Sequence, residues 1–127
     1  MTATDTLPFV IACVALASVQ AACAGEGITY RGKSVFEENC SVCHSVMAGK
    51  NKYGPSLHGV VGRRAGTIPD FNYSEAMRNC GQVWSTEALN AYIAHPKKVV
   101  PGNRMPFDGL PGEKDREDLI TFLSSSH

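Results

Sequence analysis

The chain has 127 residues, 43% of them hydrophobic and 19% charged, which suits one soluble globular domain and excludes a disordered segment. Twelve Lys and Arg balance twelve Asp and Glu, so nucleic acid is not an expected partner. The balance is local rather than uniform: Lys50, Lys52, Arg63, Arg64, Arg78, Lys97, Lys98 and Arg104 face only Asp70, Glu75 and Glu87 between Ser45 and Phe107, whereas from Asp108 onward acidic residues dominate.

Leu7 to Ala24 is almost wholly apolar or small and ends in Ala22-Cys23-Ala24, a small-x-small pattern of the kind signal peptidase cuts. Residues 1–24 therefore read as a signal peptide and 25–127 as the working domain. The front of the leader departs from the usual form, because Met1 to Thr6 has no lysine or arginine and carries Asp5. An uncleaved membrane anchor is the alternative, since a run of about 18 apolar residues is near the lower limit for a bilayer span. Either way the domain is expected outside the cytoplasm.

Gly25 to Tyr30 reads as a short polar connection. Gly32 to Cys40 follows as a helix, with Val35 and Phe36 on one side and Lys33, Glu37 and Glu38 on the other. A glycine there costs about 1 kcal/mol against alanine, so a second helix crossing closely is the expected reason to keep it, the alternative being a helix start, where glycine is tolerated. Met47 to Gly66, glycine-rich and holding Pro55, predicts loops, and Tyr73 to Arg78 a short helix. Ser85 is the N-cap of a helix through Leu89, Tyr92 and Ile93 that stops before Pro96. Pro96 to Pro111, with four prolines and two glycines, is expected to be extended loop. Glu113 to Ser124 closes the chain as a helix whose apolar face is Leu119, Ile120, Phe122 and Leu123. No strand alternation is present, and the class is all-α.

The chemistry centres on Cys40-Ser41-Val42-Cys43-His44. Two thiols three residues apart share one side of a helical turn, where they can form thioether bonds to the two vinyl groups of one haem while the adjacent histidine reaches its iron. A structural zinc site or a disulfide-exchange motif also uses Cys-x-x-Cys. Zinc, however, needs a second ligand pair, and Cys80 is the only other cysteine after the leader. The redox motif needs a βαβ context that is absent here. A second iron ligand is sought among the methionines. Met105 sits in Pro101-Gly102-Asn103-Arg104-Met105-Pro106, stiffened by proline on both sides, as a weak thioether ligand requires. Met77, at helical spacing, reads as packing.

With these residues in hand, the chain resembles the class I cytochromes c, close to mitochondrial-type cytochrome c and its bacterial relatives. The resemblance covers Gly32 to Leu123. It implies the class I cytochrome c fold, with N- and C-terminal helices crossing and shorter helices and loops wrapped around one haem c held by Cys40 and Cys43. It also makes 25–127 the cytochrome c domain. The iron ligands it implies are His44 and Met105. Gly54-Pro55-Ser56-Leu57-His58-Gly59 is similar to the family's loop beside the histidine, and by that likeness the Pro55 carbonyl accepts the second ring proton of His44. Arg63, Tyr73 and Trp84 look like the residues that hold the buried haem propionate. Tyr92 resembles the tyrosine near the methionine sulfur, Asn103 the polar residue of that loop, and Phe107 the aromatic covering the haem edge. Met77 stands where mitochondrial members have an asparagine. Cys80 is extra and is expected to be buried and inert rather than to join two chains. His58, His95 and His127 are expected at the surface.

The resemblance implies a monomeric one-electron carrier in the periplasm, in preference to the mitochondrial intermembrane space. It would run from a quinol-oxidising complex or dehydrogenase to a terminal oxidase or photosynthetic reaction centre. No small-molecule substrate or enzymatic activity is expected, and the membrane is met only through partners unless the leader is retained. The partners would present acidic docking patches to Lys50, Lys52, Lys97, Lys98 and Arg104. A dedicated or anchored subunit of one oxidoreductase, and a peroxidase-like haem enzyme, are the alternatives.

Overall fold

The computed structural model describes residues 20–127. Within them the chain forms α1 (Gln20–Asn39), α2 (Glu75–Asn79), α3 (Thr86–Ala94), α4 (Pro96–Val99) and α5 (Glu113–Ser124). Among the described residues no strand forms, and the only sheet-like pairing is an isolated antiparallel bridge between Arg64 and Val83.

The two long helices meet where Gly32 predicts. A methyl group built on Gly32 would lie 2.7 Å from both the Asp118 carbonyl carbon and Phe122 Cβ, and closer still to the Asp118 carbonyl oxygen. Only a residue without Cβ lets the α1 and α5 backbones approach so far. Beside this contact the Phe36 and Phe122 rings pack tilted at 46°, 5.6 Å between centroids, and Leu119, Ile120 and Leu123 of α5 are buried. The carboxylate of Asp118, also buried, accepts bonds from Lys114 Nζ at 2.6 Å and Arg31 Nε at 3.2 Å. Chiefly the Lys114 bond, with help from Arg31 and against the effect of burial, holds that carboxyl below the usual carboxylate range.

Two expectations are corrected. The polar connection predicted over 25–30 is part of α1, which runs on through it. The segment contains glycines, which weaken a helix, but no proline to stop one. The leader 1–24 lies, apart from its last few residues, outside the described residues. The stretch after Pro96 is not wholly extended, because it begins with the single turn α4. Proline is tolerated at a first helical position, where its missing N–H has no partner to lose, and the His95 carbonyl accepts from Lys98 N and Val99 N at 3.1 and 3.0 Å.

α3 starts at its serine cap, with Ser85 Oγ accepting from Ala88 N at 3.1 Å, and α2 uses Ser74 in the same way at 3.0 Å. The loop after α4 returns to the body through Leu110 N on Ile93 O at 2.9 Å. It is pinned by Arg116, which reaches Asn90 Oδ1 and the Leu110 and Pro111 carbonyls at 2.7 to 2.8 Å. The buried set continues from α5 through Val60, Trp84, Leu89, Tyr92, Val100 and Leu110. Among the described residues no helix is long and apolar enough to cross a membrane.

Candidate functional site

The end of α1 unwinds into a turn that aims three side chains at one cleft. Cys40 N and Ser41 N both bond to Phe36 O, and Cys43 N and His44 N both bond to Cys40 O at 3.1 and 2.8 Å. Residues 40, 43 and 44 thereby line the same wall. Gly54 N on Cys43 O at 2.7 Å brings the following loop back across the turn, and the Lys52 ammonium adds a bond to Ser41 O. His44 Nδ1 lies 2.8 Å from Pro55 O. Its ring rests on the bare backbone of Gly54, where a Cβ would be 2.7 and 2.8 Å from the ring nitrogens. The ring position is thus fixed from the side and from below.

Burial, opposed by the Pro55 carbonyl and reinforced by the Lys52 and Arg63 charges, lowers the His44 pKa. The imidazole is therefore held neutral, with Nε2 free as a metal donor. Burial, with the neighbouring Cys43, pushes the Cys40 thiol up to about 11. Among the described residues no group of three or more His, Cys, Asp or Glu side chains is placed to hold a metal ion.

The cleft has a volume of about 580 Å³ and walls that are mainly apolar. Besides the Cys-x-x-Cys-His turn it is lined by Pro55, Arg63, Tyr73, Trp84, Tyr92, Asn103, Met105 and Phe107, so the structure gathers every site residue singled out in the sequence. Met77 lines it too. Trp84 and Tyr92 are buried and pack ring to ring at 4.9 Å, and burial, with Cys80 adding to it, raises the Tyr92 phenol to about 12. Arg63 donates to His58 O at 2.9 Å and Ser56 O at 3.1 Å, yet its Nε is the one buried side-chain polar atom without a partner among the described residues. Tyr73 Oη accepts from Ile68 N at 3.2 Å. Arg104 ties the Met105 loop to the facing one through Asn72 O at 2.8 Å.

Some of the site has no signal in the sequence. Ser56, 1% exposed, is bonded within the protein on every side: its N–H donates to Asn51 Oδ1 at 2.9 Å, its hydroxyl donates to Met47 O at 2.7 Å and accepts from His58 N at 3.2 Å, and its carbonyl accepts from Arg63. This knot holds the segment carrying Pro55, and nothing in a serine among loop residues announces it. His58, expected at the surface, is half-buried with Nδ1 3.2 Å from Val46 O, because the same knot draws it inward. His95 and His127 are exposed. Cys80 is half-buried, its thiol donating to Met77 O at 3.2 Å.

A helix-ending Cys-x-x-Cys-His turn on a mainly apolar cleft matches a known pattern along the chain. The family profile described as Cytochrome c matches residues 30–127. The chain belongs to the cytochrome c family. Cytochrome c of Euglena viridis is 44% identical over 99 residues, covering 78% of this chain and 97% of that protein. Cytochrome c2 of Rhodopila globiformis is 46% identical over 99 residues, covering 78% and 93%. Among solved structures, cytochrome cH from Methylobacterium extorquens superposes with a TM-score of 0.72 at 36% identity, covering 76% of this chain and 97% of that one. The all-α arrangement, with its first and last helices crossing, is the class I cytochrome c fold. Cytochromes c carry one covalently bound haem c and transfer single electrons. The cleft fits that group on its own terms: its walls are mainly apolar, Gly54 leaves room for the His44 imidazole at its edge, and the unpartnered Arg63 Nε–H suits an acidic substituent.

Proposed function

We propose that this cytochrome attaches its haem through Cys40 and Cys43, ligates the iron with His44 and Met105, and carries electrons from a quinol-oxidising complex or dehydrogenase to a terminal oxidase or photosynthetic reaction centre. The observation that carries the reading is that His44 and Met105, far apart in sequence, line one cleft on segments each held by hydrogen bonds. The bound haem supplies one-electron redox chemistry. Around it, Pro55 O fixes the proton on His44 Nδ1 and leaves Nε2 to the iron. Met105 offers a neutral, soft sulfur, which favours ferrous iron and a raised potential. Arg63, Tyr73 and Trp84 receive the buried propionate, Tyr92 stands near the methionine sulfur, and Phe107 covers the edge. Two protein ligands leave no position for a substrate, so the protein is a carrier and not an enzyme.

Residues 1–24 are a signal peptide, and the domain 25–127 works in the periplasm as a monomer. Lys50, Lys52, Lys98 and Arg104 steer partners that present acidic patches. Lys97 contributes less than its charge suggests, because Asp108 pairs with it at 2.8 Å. One observation favours a second reading, a dedicated membrane-anchored donor: α1 is continuous from Gln20 across the positions expected to be a loose connection. Sequencing the N-terminus of the mature protein decides between them.

The visible spectrum tests the ligand pair. The oxidised protein should show the weak far-red sulfur-to-iron charge-transfer band, kept in Met77→Ala and lost in Met105→Ala. Its absence from the unmodified protein would mean that Met105 does not close the iron.

A further inference from the structure

The loop that presents Met105 has few ways to hold itself. Pro101 and Pro106 have no N–H to donate, and Gly102 takes a φ of 87°, with room limited by Ala76 Cβ at 3.2 Å from where a methyl would sit. Arg104 is exposed and reaches away to Asn72 O. The tie that reaches Met105's own backbone from a side chain is Asn103. Asn103 Nδ2 donates to Pro96 O at 3.0 Å and to Val100 O at 2.8 Å, and its Oδ1 accepts from Met105 N at 2.9 Å. Both amide protons and the amide oxygen are used, and all three bonds go to backbone. Asn103 also donates its own N–H to Val100 O at 3.1 Å. The amide thus joins the backbone of Met105 to both ends of the α4 turn.

We infer that Asn103 is the positioning residue that keeps the Met105 sulfur on the iron; the inference rests on Met105 being the sixth ligand. A thioether bonds weakly, so its occupancy is set by how seldom the loop lifts. With Oδ1 on its N–H, the Met105 backbone cannot swing outward without breaking that bond. The same motion strips the Pro96 and Val100 carbonyls of their side-chain donor. Asn103 therefore acts through Met105 and not on the haem, although it borders the cleft. A polar residue there that served only to face the haem would have amide atoms to spare, and this one has none.

The test is an equilibrium titration of the oxidised holoprotein with imidazole, a small ligand that must displace the sulfur to bind, alongside the far-red band and far-ultraviolet circular dichroism. Losing three hydrogen bonds that exist only in the closed loop should tighten apparent imidazole binding in Asn103→Ala by about tenfold to a hundredfold. The band should weaken while the helical signal is unchanged, which a merely structural role would not produce. Asn103→Ser retains an oxygen able to accept from Met105 N and loses both donated bonds, so it should fall between; it carries the test if Asn103→Ala does not fold. Imidazole affinity within about twofold of the unmodified protein in the folded variants, with the band intact, overturns the proposal alone. A band absent from the unmodified protein overturns the Met105 assignment and this proposal with it.

Discussion

Substituting alanine for Gly32 adds one methyl group at the point where α1 lies on α5. That carbon would sit 2.7 Å from the Asp118 carbonyl carbon and from Phe122 Cβ, where ordinary carbon contacts are about 3.5 to 4.0 Å. The obstruction is α5 backbone and the first atom of a side chain, neither of which can rotate aside, so the helices must part by about 1 Å. Overpacking of this kind costs about 1 to 3 kcal/mol, and here the upper end applies because the Phe36 and Phe122 pair opens with it. Better helix propensity returns up to about 1 kcal/mol. The net loss is about 2 kcal/mol, or roughly 10 °C in Tm for a domain of this size. Gly27, in the same helix, is the control: a methyl there meets only Arg31 Nη1 at 3.9 Å, so Gly27→Ala should leave stability unchanged or raise it by up to about 1 kcal/mol. Urea unfolding of the haem-loaded protein, followed by circular dichroism at constant m, measures both. A Gly32→Ala midpoint at or above that of the unmodified protein would refute the close-crossing argument.

Two further outcomes follow from named bonds. Ser85→Ala removes the acceptor for Ala88 N and should cost about 1 kcal/mol in thermal unfolding, with redox behaviour unchanged. Asp118 is held below the usual carboxylate range, mainly by Lys114, so its contribution is complete above the unfolded carboxyl pKa of about 3.9 and is lost as pH falls through the lower folded value. The unmodified protein should therefore lose stability over that acid window, whereas Asp118→Asn, already weaker at pH 7, should show a shallower acid limb.

How far these features were legible follows from what makes each of them. The last helix is read to its ends, Glu113–Ser124, because its apolar positions repeat at helical spacing and Pro111-Gly112 stops anything before it. Gly32 is informative because a residue that weakens a helix is kept either at a helix start or under a close neighbour, and α1, beginning at Gln20, leaves the neighbour. By contrast α4 hides in a proline-rich stretch, since proline marks both a break and a first turn. The cleft is a tertiary object: Cys40, Cys43 and His44 are legible together because one turn joins them, but Arg63, Tyr73 and Trp84 come to mind only through family likeness. The bonds of Ser56 are not legible at all, and those of Asn103 are not legible beyond its likeness to the polar residue of that loop. Their partners are backbone carbonyls and amides, which every residue has, so no pairing of residue types betrays them.

The crossing of α1 and α5 also imposes an order on how the molecule is made. Arg31 and Asp118, which bond across it, are 87 residues apart in the chain, so nothing can occupy the Gly32 notch until nearly all of the polypeptide has been synthesised. Closing so long a loop costs more entropy than making a local contact does. Until then the cleft beside Cys40 and Cys43 lacks its α5 side, Leu119 and Leu123. In the finished fold those two side chains are in place and Cys40 and Cys43 are half-buried, so the thioether attachment proposed for the two thiols meets a complete pocket only after the last helix has docked.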